Sequence, residues 1–211
     1  MKRSEYKGIM IITTIMILIP VVLGVILWDK LPNEIATHFG TDNQANGWSS
    51  KPMTVFGIPL LMLVLQWFCF LMTSNDPKKK NINKKMFVFV LWLVPSISLI
   101  TMLSTYAIAL GYSVDIGMVI NFLMGILFIV IGNYMHKIKQ NYTVGIKIPW
   151  TLSSEANWNK THRMASWLFI IGGILFCING FFKMTGVLFV VIVMIAVVPM
   201  AYSFVLYKKG I

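Results

Sequence analysis

Six long apolar runs constrain the fold of this chain more than any other feature of its sequence. They cover residues 8–28, 53–72, 86–110, 116–134, 164–182 and 184–207, and none of them contains a charged side chain. A helix needs about 20 mostly apolar residues to cross the hydrocarbon core of a bilayer. The runs are continuously apolar, whereas barrel strands alternate in polarity over about ten residues. We therefore predict an all-α fold, a polytopic membrane protein with a bundle of six transmembrane helices.

The composition agrees with membrane insertion. Hydrophobic residues make up 57% of the 211 residues and charged residues 12%, with a mean hydropathy of +0.77, which lies outside the range of ordinary soluble domains. The first run follows Lys2, Arg3 and Lys7, as the apolar region of a signal peptide would. It is too long for such a region, and no small-x-small cleavage site follows it. We expect it to be retained as the first transmembrane helix.

The basic residues predict the orientation in the membrane. When the N-terminus is placed in the cytoplasm, every lysine and arginine except Lys30, Lys51 and Lys183 falls in a cytoplasmic segment. The positive-inside rule therefore predicts that both termini are cytoplasmic. Orientation accounts for the net charge of +11, so we expect no direct binding to nucleic acid. The five lysines between residues 74 and 85 also attract anionic lipid head groups, by about 1 kcal/mol each.

The spans and loops suggest two modules. Residues 1–85 form an N-terminal module with two transmembrane helices and a structured extracellular loop at 29–52. Residues 86–211 form a four-helix region with a cytoplasmic loop at 135–163. In the extracellular loop, Asp42-Asn43 and Asn46-Gly47 are turn signals, which predict a short extended pair of segments. Phe39 and Trp48 make this loop a candidate docking surface, because aromatic residues are enriched at binding sites.

Small residues recur at helical spacing in the fourth and fifth runs. They are Gly117, Asn121, Gly125 and Gly132 in the fourth run, and Ser166, Gly173 and Gly180 in the fifth. Such stripes let helix backbones approach closely, so both helices are predicted to pack tightly within the bundle. Gln66, Asn121 and Asn179 are the main buried polar residues, and we expect them to join helices by hydrogen bonds.

The cytoplasmic loop cannot continue the fourth helix, because Gly145 and Pro149 interrupt it. A new helix can begin with Ser153 as its N-cap and with Glu155 in its first turn. One face of this helix then carries Trp158, His162 and Ala165. We predict that the segment lies along the inner membrane surface before it enters the fifth span.

Two sets of residues resemble the motifs of a known family. The first comprises Gly-Asn-Tyr at 132–134, the polar stretch 141–153 with its Gly-Ile-Lys-Ile-Pro-Trp-Thr core, and residues 158–163. The second comprises Leu31-Pro32, Ile35, His38-Phe39, Gly40 and the run Gly-Trp-Ser-Ser-Lys at 47–51. Together they resemble the SdpI family of bacterial immunity proteins over nearly the whole chain. The family usually has Arg-Thr where this chain has Lys147 and Ile148, and lysine lacks the bidentate fork of arginine.

The resemblance implies a function. SdpI-type proteins protect a toxin-producing Bacillus from its own secreted killing peptide. In the presence of toxin they also recruit a small DNA-binding autorepressor to the membrane and so induce their own operon. For this chain the resemblance implies a multi-pass protein of the bacterial cytoplasmic membrane, embedded in the lipid bilayer. Its partners would be a peptide toxin at the outer face and a cytoplasmic autorepressor at the inner face, without a cofactor.

The motif matches give most of the candidate functional residues, and Trp48, Lys147 and Glu155 are added from the same two loops. The toxin-facing candidates are His38, Gly47, Trp48, Ser50 and Lys51. The cytoplasmic candidates for partner binding are Asn133, Asn141, Gly145, Lys147, Pro149, Trp150, Thr151, Glu155, Trp158, Thr161, His162 and Arg163. For the cytoplasmic set, a purely structural role as a packed plug is an equal alternative.

Two other functions remain open from the sequence. The first is a membrane-embedded enzyme that uses the 133–163 loop, with Glu155, His162 and His136 binding a metal or moving a proton. No spacing here matches a known zinc motif, so we predict no catalytic residue and no metal, and we expect a protein that is not an enzyme. The second is a small transporter or exporter, which the absence of buried charge and of a repeat between the halves argues against.

Overall fold

The computed structural model describes residues 3–211 and is mostly helical. The helices are α1 (Lys7–Ile26), α2 (Ile58–Ser74), α3 (Lys84–Ala109), α4 (Ile116–Met135), α5 (Pro149–Ser153), α6 (Glu155–Phe182) and α7 (Thr185–Lys208). Two strands, β1 (Glu34–Phe39) and β2 (Ala45–Ser50), lie between α1 and α2. Within the described residues, six helices are long and apolar enough to cross a membrane. The prediction of a six-span helical membrane protein is confirmed.

The chain forms two compact units. The first contains residues up to Ser74 together with Phe87–Ile116, and the second contains Asn75–Met86 together with Gly117–Ile211. The first unit thus holds α1, the strands, α2 and most of α3. The second holds nearly all of α4, then α5, α6 and α7, with the segment that leads into α3. The division of the sequence into modules at residue 85 stays a prediction.

Buried polar side chains join the helices of the first unit. Gln66 on α2 is fully buried, and its amide donates to the Leu91 carbonyl at 2.7 Å and to the Thr13 hydroxyl at 3.1 Å. The Tyr106 hydroxyl donates to the Pro20 carbonyl at 3.0 Å. Gly24 makes this approach possible, because a Cβ there would lie 2.6 Å from the Tyr106 oxygen. The predicted role of Gln66 in joining helices is confirmed.

The predicted extended pair is an antiparallel hairpin of β1 and β2. Its turn includes Asn43 in the left-handed region, with φ 64°, as the Asp42-Asn43 signal predicts. The second predicted turn, at Asn46-Gly47, is wrong because both residues lie within β2. Gly47 is instead needed for close approach, since a Cβ there would lie 2.9 Å from the Cβ of His38.

The two predicted stripes of small residues pack against each other in the second unit. A Cβ added at Gly125 on α4 would lie 2.7 Å from the Gly173 carbonyl oxygen on α6. The Ser166 hydroxyl donates to the Gly132 carbonyl at 2.6 Å. Near the other end, the Asn179 amide donates to the Asn121 side-chain oxygen at 3.1 Å. The predicted close packing is confirmed, and the partner of each stripe is the other stripe.

The start of α6 corrects one expectation. Ser153 ends α5, and the N-cap of α6 is Ser154, whose side chain accepts from the Asn157 N–H at 3.2 Å. The helix is continuous from Glu155 to Phe182, so the segment runs into the fifth span as predicted, and its position along the membrane surface stays a prediction. Neither glycine nor proline occurs between residues 155 and 171, so the backbone has no reason to break there.

Candidate functional site

The centre of the 135–163 loop is a stacked pair of rings. The Trp158 and His162 rings have centroids 4.0 Å apart, and both side chains are buried. The indole N–H of Trp158 donates to the Ile138 carbonyl at 2.7 Å. The Nε2 atom of His162 accepts from the Ile146 N–H at 2.9 Å, and its Nδ1 lies 2.9 Å from the Trp158 carbonyl oxygen. An accepting Nε2 and a donating Nδ1 define a neutral imidazole.

Gly145 lies directly against this pair. Its φ is +122°, a backbone conformation that other residues rarely adopt. A Cβ at this position would lie 2.5 Å from Nε2 of His162 and 2.9 Å from the Trp158 ring. Both the backbone and the space therefore require glycine.

Asn141 closes the turn that precedes Gly145. It is fully buried, and its side-chain oxygen accepts from the N–H groups of Thr143 at 3.0 Å and Val144 at 2.7 Å. Its amide donates to the carbonyls of Lys139 at 2.9 Å and Val144 at 3.0 Å. The carboxamide thus uses both of its donors and both acceptor sites on its own loop.

The short helix α5 is fixed by Thr151 and Trp150. The Thr151 hydroxyl accepts from the Ile148 N–H at 3.1 Å and lies 2.7 Å from the Ile146 carbonyl, to which it can donate. Trp150 packs against Phe204 on α7, with ring centroids 5.0 Å apart. Both motif residues therefore hold α5 in place.

Three residues before α3 also hold the loop, and sequence reasoning missed their role. Buried Asp76 accepts from the Tyr142 N–H at 2.9 Å and from the Thr143 hydroxyl. Asn81 donates to the Gln140 carbonyl at 2.7 Å, and the Lys78 ammonium donates to the Gln140 side chain. A signal for Asp76 exists in the sequence, because it is the acidic residue in a segment that holds five lysines.

Thr161 belongs to a second buried cluster, between α6 and α7. Its hydroxyl donates to the side-chain oxygen of Asn157 at 3.1 Å, and the Ser203 hydroxyl donates to the same oxygen at 2.6 Å. The Asn157 amide donates to the Ser203 carbonyl at 3.0 Å. Sequence reasoning missed Asn157 and Ser203, because a polar residue inside an amphipathic helix carries no sign of its partner.

The cytoplasmic candidates thus separate into buried and exposed residues. The buried or half-buried ones, which hold the loop or, in the case of Thr161, join α6 to α7, are Asn141, Gly145, Trp150, Thr151, Trp158, Thr161 and His162. The exposed ones are Asn133, Lys147, Pro149, Glu155 and Arg163. We call the first set the loop scaffold and the second set the exposed motif residues.

Both ring nitrogens of His162, one of the candidate metal ligands, already have partners in the protein. Its Nε2 lone pair accepts the Ile146 N–H and its Nδ1 faces the Trp158 carbonyl, so neither nitrogen is available to a metal in this arrangement. Among residues 3–211, no three histidine, cysteine, aspartate or glutamate side chains are grouped so as to hold a metal ion. Glu155 is exposed at the start of α6.

The hairpin presents a different set of side chains. Trp48 is 58% exposed, Ser50 is exposed, and His38 is exposed with its Nδ1 beside the Asn46 side-chain oxygen. Lys51 is only 9% exposed, and its ammonium donates to the carbonyl of Trp28 at 3.0 Å. Lys51 therefore ties the hairpin to the end of α1, whereas Trp48 projects from it.

Beneath the hairpin lies an apolar cluster. Leu31 and Ile35 are buried against Val55, Met102 and Tyr106. The hairpin is therefore anchored to the helices of the first unit, so its exposed face is held in a fixed position.

Comparison with known proteins places these features in a family. Residues 137–203 match the model of the SdpI/YfhL protein family, and residues 15–63 match a domain of unknown function, DUF1648. The chain is 31% identical over 202 residues to "Immunity protein SdpI" of Bacillus subtilis (strain 168), which covers 94% of this chain and 96% of that protein. The chain belongs to the SdpI family. No solved structure matches it.

The two matched regions correspond to the two groups of candidate residues. The SdpI/YfhL match contains the whole loop scaffold and extends into α7, and the DUF1648 match contains the hairpin with the second part of α1 and the beginning of α2. This SdpI-family chain is a multi-pass membrane protein, as its six apolar helices and its relative indicate.

Proposed function

We propose that this chain is an integral membrane immunity protein that protects the bacterial cell against a secreted antimicrobial peptide toxin. The observation that carries this proposal is the 31% identity, along 94% of the chain, to a protein named Immunity protein SdpI. The loop scaffold supports a role without catalysis, because its polar groups bind one another and the backbone. A general acid or base would instead face a substrate pocket.

The proposal includes an orientation. In the proposed topology all six candidate helices cross the membrane, so that the hairpin follows the first crossing and the 135–163 loop follows the fourth. The two would then lie on opposite sides of the membrane. The distribution of lysine and arginine supports cytoplasmic termini, an outer hairpin and an inner loop.

We assign toxin recognition to the exposed face of the hairpin. Trp48 is the largest side chain there, and exposed tryptophan is a frequent anchor of binding interfaces. His38 and Ser50 add polar groups beside it. Gly47 and Lys51 act on the hairpin itself, the first by allowing close strand approach and the second by holding the hairpin to α1.

Survival of a toxin-sensitive strain tests this assignment. Loss of an interface tryptophan commonly costs 2 kcal/mol or more, so Trp48→Ala should weaken protection by about thirtyfold or more. Tyr112→Ala is the matched control, because Tyr112 is an aromatic residue that is 68% exposed in another proposed outer loop. It should protect as the wild type does. Membrane levels of all variants are compared by immunoblot.

Two results would count against the proposal. If the wild type at a normal membrane level gives no protection against several candidate killing peptides, the immunity function is refuted. If Trp48→Ala and Tyr112→Ala protect equally well, toxin recognition does not use the exposed face of the hairpin.

We further propose that the exposed motif residues recruit a cytoplasmic DNA-binding autorepressor. The supporting observation is that Lys147, Glu155 and Arg163 are exposed charged residues in the same segment as the buried Asn141, Thr151, Trp158 and His162. A scaffold that holds charged side chains in fixed positions suits the recognition of a protein partner.

A fluorescent repressor fusion tests recruitment. In toxin-treated cells the fusion should move to the membrane with wild-type protein and stay dispersed with a Glu155→Ala, Arg163→Ala double variant. Lys208→Ala serves as control, because Lys208 is an exposed charge at the end of α7 that lies outside the motif. Recruitment by the double variant at the wild-type level would exclude these side chains from the partner surface.

A further inference from the structure

An open groove of about 500 Å³ lies between the first half of α1 and the second half of α2. Met10 and Thr14 line it from α1, and Trp67 and Phe70 line it from α2. Lys7 and Ser4 lie at the end where α1 begins. α1 and α2 are antiparallel neighbours, so this end is also the one at which α2 finishes.

The walls of the groove are apolar and pack against α3. Phe70 and Met10 are buried, and Phe70 packs against Phe87 on α3 with ring centroids 6.0 Å apart. The rings of Trp67 and Phe70 meet edge to face at 5.9 Å. Trp67 is 45% exposed, so the groove opens on the side of the helices that faces lipid. A hydrocarbon chain fits such a surface.

The end of the groove carries positive charge. Lys7 is exposed at the first residue of α1, and Ser4 adds a hydroxyl. Glu5 lies between them in sequence but does not line the groove. A lysine at the end of a span extends its ammonium to the level of the lipid head groups. An anionic head group would find its counter-charge here.

We propose that this groove binds one anionic glycerophospholipid. An acyl chain lies against Met10, Trp67 and Phe70, and the phosphate faces Lys7. A free phosphate lacks the apolar part, and an uncharged lipid lacks the partner for Lys7. The site is independent of toxin and of the repressor.

Native mass spectrometry of the purified full chain tests the proposal. The probes are phosphatidylglycerol and phosphatidylcholine with identical acyl chains, added to protein in detergent. We expect one phosphatidylglycerol to remain bound. Lys7→Gln should weaken its binding by about fivefold, the contribution of one basic residue near a membrane surface, and leave phosphatidylcholine binding unchanged. Lys30→Gln, beyond the other end of α1, is the matched charge control and should have no effect.

Two variants of Thr14 test the part of the groove that holds the acyl chain. Thr14→Phe should fill it and reduce the binding of both lipids, whereas Thr14→Val keeps the shape and should bind both lipids as the wild type does. The melting temperature of each variant shows whether it is folded.

The outcomes separate the proposal from bulk lipid association. Equal binding of the two lipids by the wild type, or equal losses in Lys7→Gln and Lys30→Gln, means annular lipid only and overturns the proposal. Several bound lipids without a preferred first one overturn it as well. Because no toxin is present, failure here leaves the immunity assay unaffected.

Discussion

At the scale of single residues, the motif side chains of the loop scaffold hold the loop in one conformation by hydrogen bonds. Asn141 makes four hydrogen bonds within its own turn, and His162 connects the Ile146 N–H to the Trp158 carbonyl. A buried polar group without a partner costs about 1–3 kcal/mol, so removal of one member leaves others unsatisfied. The motif stretch therefore depends on residue identity in a way that an ordinary linker does not.

Gly145 gives the sharpest prediction at this scale. Gly145→Ala forces alanine into φ +122° and brings its Cβ to 2.5 Å from His162. Strain in such a conformation costs about 1–3 kcal/mol, and the clash adds to it. We expect a clear fall in the melting temperature of the purified protein in detergent.

Gly111→Ala measures the cost of backbone strain without a steric clash. Gly111 also has a positive φ, +88°, but a Cβ there would have no atom within 4 Å. Its variant should lose less stability than Gly145→Ala. Equal losses in the two variants would show that contact with His162 is unimportant.

At the scale of elements, the seam between α4 and α6 decides how the second unit packs. Glycines on both helices let the backbones approach so closely that carbonyl oxygens would meet any added Cβ. Two helices in lipid gain nothing from hiding apolar surface, so close packing and hydrogen bonds must hold them together. The stripes were visible in the sequence, but helix pairing depends on how the chain connects its spans.

A series of alanine substitutions measures this seam. Gly173→Ala places its Cβ 2.5 Å from a backbone oxygen, Gly180→Ala places it 3.2 Å from the Phe122 ring, and Gly186→Ala meets nothing within 4 Å. Overpacking typically costs 1–3 kcal/mol, whereas alanine in an open helical position stabilises by about 0.5–1 kcal/mol. Thermal stability should therefore follow the order Gly186→Ala, Gly180→Ala, Gly173→Ala, from highest to lowest. The reverse order would mean that the seam does not hold the helices together.

At the scale of the whole molecule, the decisive property is which side of the membrane each loop faces. Immunity and signalling need an outer surface for toxin and an inner surface for a partner. In the proposed topology three of the six candidate spans separate the hairpin from the 135–163 loop, which would put these surfaces on opposite sides. The basic residues then predict which side is which.

Cysteine labelling tests this orientation. In a background with Cys69→Ala and Cys177→Ala, a Thr41→Cys variant should react with a membrane-impermeant maleimide in intact cells. A Lys139→Cys variant should react only after permeabilisation. Both positions are exposed, so accessibility within the protein does not limit either reaction. Labelling of the second variant alone in intact cells would reverse the proposed orientation.

The sequence by itself determined the six spans, the hairpin, the two stripes of small residues and the family. These follow from local composition and spacing, because apolar length defines a span and repeated glycine permits close approach. Tertiary structure alone decided which motif residues are buried and which are exposed. The roles of Asp76, Asn157 and Ser203 became visible only there, since a hydrogen bond between distant segments requires both ends to be placed in space. Tertiary structure also decided the burial of Lys51 and the exposure of Trp48, which lie three residues apart in the same loop.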